Sequence, residues 1–283
     1  MHPGVNKLER LQLSFHTTFA LKKAELARLL PVAGQSLSKE ALMAHTGFGN
    51  KKIGPIKSWA TRGGLINDGN LTPQGAVALK YDGHLTSRTT DWLLHFYLSF
   101  GGYGLATPPA SVTEWGGWPF FVFSFRPDHP EFTEDDLVAE STLVFADKPE
   151  LIRSNFSYLL RAYTSQEALG RCRFITWSES EKKYQTGNSE LPNVFLIGYF
   201  LACLWARDYS DTTSVITDQL VYRPMGLGAL LGMQPRELGG VLDDLEGRSI
   251  LEQRRTVAPF QIVRRWHSPL ELLEKAFQYD QSQ

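Results

Sequence analysis

Between residues 38 and 79 the order of capping, apolar and turn-forming side chains leaves few folds open. Ser38 is a helix-capping residue, and the good helix formers after it put Ala41, Leu42 and His45 on one face, which predicts a short helix. Glycines 47 and 49 break it. Ile53, Ile56, Trp59 and Ala60 then recur at three- and four-residue steps, so a second helix should bury that stripe and stop at Gly63-Gly64. Pro55 belongs near a first helical position, because farther inside it deletes a backbone hydrogen bond at a cost of about 3 kcal/mol. The second helix is therefore expected to begin at Pro55, leaving Asn50, Lys51 and Lys52 in the loop before it. Leu65-Ile66 reads as a brief strand, residues 67–70 (Asn-Asp-Gly-Asn) as a hairpin turn, residues 71–73 as the return strand and residues 74–79 as the start of a further helix. Helix, turn, helix and small hairpin in this order form a winged helix-turn-helix, a module that lays its second helix in the DNA major groove.

Charge gives that reading a chemical direction. The chain has 29 basic and 30 acidic residues and a net charge of −1, so any nucleic-acid contact must come from a local patch. Between Ala41 and Asn67 stand Lys51, Lys52, Lys57 and Arg62 and no acid. With Asn50, these are the expected contacts of the first module to duplex DNA. The plainer alternative is a solvated face on a module that is structural or docks protein.

The chain before the module supplies a helix over residues 20–30, with Leu21, Ala24, Leu26, Leu29 and Leu30 approximating one face before Pro31. After it, residues 91–100 are apolar nearly all round, as are residues 192–209, and both predict helices buried in a larger central body. Residues 115–125 are the most aromatic stretch and are read as core packing, since a base-stacking platform needs cations interleaved. Thr133 opens a helix running through Phe145 with a capping-box pattern, a second runs from Pro149 to Ala162, and the polar run 176–189 reads as an exposed connection. The longest apolar run, residues 194–206, is too short to span a bilayer, and residues 1–7 lack an apolar signal core. Cys172 and Cys203 have no ligand spacing and suit a reducing compartment, so the expectation is a cytoplasmic protein without a disulfide.

From Asp218 the opening pattern returns. Residues 226–232 form a short helix, residues 236–245 a second, and residues 250–266 a two-stranded wing about Ala258-Pro259, followed by a final helix over residues 270–277. The second helix carries Arg236 but also Glu237, Asp243 and Asp244, which repel phosphate. The wing carries Arg254, Arg255, Arg264 and Arg265, with no acid between Gln253 and Leu270. Adjacent strand residues point to opposite faces, so about half of these guanidiniums can follow one phosphate track, and Arg254 is paired with Arg264, Arg255 with Arg265. The fold class expected is mainly α: an N-terminal winged helix-turn-helix over residues 1–85, a central helical body over 86–215 and a second winged-helix-like module over 216–283.

Several short motifs, in order, resemble an uncharacterised bacterial family known as domain-of-unknown-function family four-thousand-and-seven. They are Phe15-His16-Thr17-Thr18-Phe19, where the family more often has Arg-His-Glu-Thr-Phe; the loop Gly47-x-Gly49-Asn50-Lys51 with Ile56 and Trp59; Leu71-Thr72-Pro73-x-Gly75; Trp92-Leu93-Leu94-His95; and Ser268-Pro269-Leu270-Glu271-Leu272-Leu273. Thr17 and Gly54-Pro55 depart from its pattern. The resemblance implies a bacterial protein encoded near genes of DNA phosphorothioation or phage defence, and it brings no catalytic residues.

No P-loop, dinucleotide fingerprint, nucleophile elbow or His-Glu-x-x-His pair is present, and the seven histidines are scattered. No catalyst, cofactor or metal site is assigned. Three functional classes follow in order: a DNA-binding accessory protein of a DNA-modification or defence system, a scaffold that docks partner proteins through its winged helices, and an enzyme with an unrecognised site.

Overall fold

The computed structural model describes residues 8–187, 189–210 and 212–283, so residues 1–7, with the expected absence of a signal core, lie outside the described residues. The chain is mainly helical. Its first helix, α1 (Lys23–Leu29), continues into a 3-10 turn at Leu30–Val32. Helix α2 (Lys39–Thr46) begins where the Ser38 hydroxyl accepts the Ala41 amide and ends at Gly47, whose φ of 69° closes it.

Helix α3 (Asn50–Arg62) starts five residues earlier than expected and holds Pro55 in its interior. Gly54 explains why this is tolerated. The ring of an interior proline crowds the Cβ of the residue before it when that residue is helical, and Gly54 has none. Pro55 itself joins Ile53, Ile56, Trp59 and Ala60 on the buried face, so its missing hydrogen bond is offset by apolar burial.

Strands β1 (Ile66–Asn67) and β2 (Asn70–Leu71) pair Ile66 with Leu71 across a two-residue turn. Asp68 and Gly69 both take positive φ there (47° and 80°), the conformation that lets a tight hairpin follow strand twist. In α4 (Pro73–Tyr81) Thr72 caps the Gly75 amide and also donates to the Gly64 carbonyl. A Cβ on Gly75 would run into the Leu65 carbonyl, so the helix and hairpin touch backbone to backbone.

Helix α5 (Arg88–Leu98) is buried from Thr89 onward, as its all-round apolarity requires. The aromatic stretch coils through a 3-10 turn (Val112–Trp115), α6 (Gly117–Phe120), a π-helical turn (Phe121–Phe125) and α7 (Arg126–Asp128), with Trp115, Trp118, Phe120, Phe121 and Phe125 in the core. Strand β3 (Glu131–Phe132) precedes α8 (Glu134–Val144), which has the expected Thr133–Asp136 capping box, and α9 (Pro149–Thr164) follows.

The polar run read as a connection is instead a hairpin of β4 (Thr176–Ser178) and β5 (Lys183–Gln185), with β3 added in the order β3-β5-β4; its Asn188 lies outside the described residues. Strands of two and three residues show no alternation to read. Tyr184 stacks on Phe132 and meets Trp177, and such aromatic pairs hold short strands together.

Helix α10 (Val194–Tyr209), capped by Asn193, is the buried spine. Beyond it come β6 (Ser214–Ile216), α11 (Thr217–Val221), α12 (Leu227–Leu231), a 3-10 turn at Pro235–Glu237, α13 (Leu238–Gly247), β7 (Leu251–Arg254), β8 (Gln261–Arg264) and α14 (Pro269–Gln281). The expected second helix thus begins at Leu238, after a turn opened by Pro235. Where a two-stranded wing was expected, β6 adds a third strand, in the order β6-β8-β7. Helix α14 lies along α10 and reaches back to α4 and α5. Apolar contacts run unbroken from Leu11 to Phe277, so the core crosses both boundaries expected near residues 85 and 215.

Candidate nucleic-acid interface

At about 100° per residue, α3 has one arc that faces solvent and another that faces the core. The outer arc carries Asn50, Lys51, Gly54, Lys57 and Thr61, all exposed, with Ser58 half-buried beside them and no acid. Among the described residues, no ion pair or hydrogen bond engages the Lys51 or Lys57 side chain. The helix therefore presents two uncommitted ammonium groups among small and polar side chains.

The other two cations expected at this face are turned away from it. Lys52 falls in the same arc as Ile56 and Trp59, where its ammonium pairs with Glu25 and lies 5.9 Å from the centres of both the Phe19 and Phe48 rings. Arg62, at the edge of the buried arc, donates to the Gly101 carbonyl and stacks 4.2 Å above the Phe15 ring, and burial lowers its pKa. Of the five residues read as contacts, Asn50, Lys51 and Lys57 remain available to a ligand. A start at Pro55 hid this, because only a helix beginning at Asn50 puts Lys52 into the buried arc.

The C-terminal hairpin distributes its charge differently. Arg254 and Arg265 both pair with Glu252, and Arg255 pairs with Asp243 of α13, which also accepts from Gln253 at 2.9 Å. These arginines hold the Glu252 and Asp243 carboxyls below their usual range. Glu252 stands opposite Val263 in the ladder, so Arg254 and Arg265 share its face while Arg255 and Arg264 lie on the other. The pairing of Arg254 with Arg264 expected from sequence is corrected by this register. At the hairpin's tip Val257 is 76% exposed and Phe260 48% exposed, an apolar feature that charge counting missed.

Several buried polar groups tie elements of the fold together. The His95 Nε2–H donates to the Leu230 carbonyl, so Nδ1 is left to accept the Tyr163 hydroxyl proton at 2.8 Å, and the Tyr163 oxygen accepts from Trp118 Nε1 at 2.9 Å. Every polar atom of that chain is occupied, and burial pushes the imidazole down to about 3. His16 is also buried and its pKa is lowered by desolvation; its Nδ1–H donates to the Thr17 carbonyl, and its Nε2 has no partner. The buried pair Lys23–Asp91 ties α1 to α5, with burial pushing the Asp91 carboxyl up to about 6 even against the Lys23 ammonium. Among the described residues no three His, Cys, Asp or Glu side chains converge as a metal site, Cys172 and Cys203 are free and buried, and no helix is long and apolar enough to cross a membrane.

No protein-family model matches the chain, and no curated protein matches it. Two solved structures share its fold. A magnesium-ion-bound crystal structure of SspB superposes with a TM-score of 0.69 at 17% identity, over 96% of this chain and 90% of that one. Another SspB crystal structure gives 0.70, also at 17% identity, over 94% of this chain and 86% of the other. The likeness spans nearly the whole chain and concerns the fold.

Proposed function

We propose that this chain is a non-enzymatic DNA-associating accessory protein whose residues 38–79 act as a winged helix-turn-helix, with the outer face of α3 in the major groove. The observation that carries this reading is the acid-free outer arc of α3, where Lys51 and Lys57 have no partner within the chain's described residues. Two such cations suit phosphate, and the Asn50 amide suits a base edge. Gly54 and Thr61 keep the middle of that arc small, which lets the helix axis come close to the groove floor. The resemblance to the uncharacterised bacterial family favours a DNA-modification or phage-defence setting in the cytoplasm. The second unit, residues 216–283, is read as a winged helix that docks a protein partner; its ion-paired arginines and its apolar tip at Val257 and Phe260 favour that over phosphate.

The test is a mobility-shift series on duplex DNA, with and without phosphorothioate, across several salt concentrations. Lys51→Ala with Lys57→Ala should weaken binding on every sequence and lower the magnitude of the salt slope by about 2, one for each lost phosphate contact. An unchanged affinity and slope in the folded double variant would move the first unit to the docking class as well.

A further inference from the structure

Where the turn after α1, the start of α2, the flank of α3 and the β1–β2 hairpin meet, the structure leaves a cleft of about 160 Å³. Its floor is apolar and buried: Leu29 from α1, Leu42 from α2 and Ile66 from β1. Val32 and Leu37, both half-buried, form its walls. Its lining also includes two exposed charges of opposite sign, Lys57 from α3 and Asp68 from the hairpin turn, and the exposed Ser36. Among the described residues no ion pair or hydrogen bond engages any of these three side chains. The hairpin wall is fixed, because the Gly34 amide donates to the Gly69 carbonyl at 2.7 Å and the Asn70 side chain donates to the Asp68 carbonyl at 3.2 Å.

An apolar floor under one uncommitted cation and one uncommitted anion specifies its ligand's chemistry. A fatty acid would leave Asp68 facing its carboxylate, and an aliphatic amine would leave Lys57 facing its ammonium. The space equals the liquid share of about five waters and is well below the roughly 300 Å³ at which drug-sized pockets begin, so the ligand is small. We propose that this cleft binds a small aliphatic zwitterion, the chemistry of a free branched-chain amino acid such as leucine or isoleucine. Its carboxylate meets Lys57, its ammonium meets Asp68, and its aliphatic body covers Leu29, Leu42 and Ile66. Lys57 also belongs to the outer arc of α3, so an occupied cleft withdraws one of two cations from phosphate. That regulatory part rests on the DNA reading; ligand binding itself does not.

Isothermal titration calorimetry on the full chain tests the site, with L-leucine and L-isoleucine set against 4-methylpentanoate, which lacks the ammonium, 3-methylbutylamine, which lacks the carboxylate, and glycine, which lacks the body. Saturable binding of leucine or isoleucine is expected, with each incomplete analogue at least 10-fold weaker. Lys57→Met and Asp68→Asn should each weaken leucine binding at least 10-fold; both positions are exposed, and asparagine tolerates the positive φ of residue 68, so unchanged melting curves are expected beside them. No saturable heat from either amino acid, equal binding of the analogues, or leucine binding untouched by both variants overturns the proposal. For the regulatory part, saturating leucine should reduce duplex affinity of the wild type, whereas Asp68→Asn, which keeps Lys57, should give the same duplex affinity with and without leucine. If the wild type binds leucine and no duplex, the DNA reading fails while the cleft assignment stands.

Discussion

The N-terminal and C-terminal units both run helix, helix, hairpin, yet they use their cations in opposite ways. In the first, the two cations that matter stand alone on the outer arc of α3. In the second, Arg254, Arg255 and Arg265 are drawn onto Glu252 and Asp243. By count the two sites hold four cations each; by availability α3 is the more basic. A partner meets the field left after a protein's own acids have been paired, and a guanidinium fork already on a carboxylate must be stripped from it before it reaches phosphate.

The units also differ in how they are fastened. The first is joined to α5 by the buried Lys23–Asp91 ion pair, whereas α14 of the second lies along α10, where Asp280 accepts hydrogen bonds from the uncharged Asn193 and Thr89 side chains. The largest expected effect attacks that difference. Asp91→Asn leaves the Lys23 ammonium buried without its counter-charge and should cost about 3–5 kcal/mol in urea unfolding, with most of it regained when Lys23→Met and Asp91→Leu are combined. An early separate transition in Asp91→Asn would mean the N-terminal unit unfolds on its own, while a cost under about 1 kcal/mol would show that this pair is not what fastens it.

Charge reversal comes next. Lys51→Glu with Lys57→Glu should lower duplex affinity by about 100-fold or more at low salt, since each change removes an attraction and adds a repulsion. The same reversal at Arg254 and Arg265 should lower it by less than about 3-fold. Equal losses at the two sites, in a mobility-shift assay, would erase the contrast between the units.

A smaller effect reads the interiors by pH. His16, under the first unit, and His95, on α5, are both held below the ordinary histidine pKa by burial, His95 at about 3. A histidine with a lowered folded pKa contributes stability that is full above about 6.5 and is lost as the pH falls toward the folded value, about 1.4 kcal/mol per unit. Asp91 works against them: burial raises it to about 6, so its contribution is present below about 3.9 and is lost as the pH rises through 6. Urea unfolding at pH 7.5, 6 and 5 should give a net fall in stability toward acid. A flat profile would mean the two imidazoles are not held neutral.

The smallest effect sharpens the comparison most directly. Glu252→Gln removes the acid that Arg254 and Arg265 share and should raise duplex affinity about 2- to 5-fold at low salt, with the gain vanishing as salt screens it. No gain would mean that geometry, not pairing, keeps this hairpin off phosphate.

Much of this was legible in the chain. The buried stripe of α3, the α2 cap at Ser38, the hairpin turn at Asp68-Gly69 and the capping box at Thr133 each rest on residues within a few positions of one another, as does the buried character of α5 and α10. The hairpin of β4 and β5 was not legible, because strands of three residues are stabilised by a distant partner, β3, and by the Phe132–Tyr184 stack. Nor was the leucine-sized cleft, whose floor is drawn from three separate elements.

The cations divide along the same line. Sequence alone determined that residues 41–67 would be basic and that their second helix would have a buried face, because helical period and composition are local. Only the tertiary structure decided which cations stay free. That choice depended on Gly54 allowing α3 to start before Pro55, which turned Lys52 inward to Glu25, and on strand register, which placed Arg254 and Arg265 together on Glu252. Pairing is decided by distance between elements far apart in the chain, and local pattern does not encode that distance.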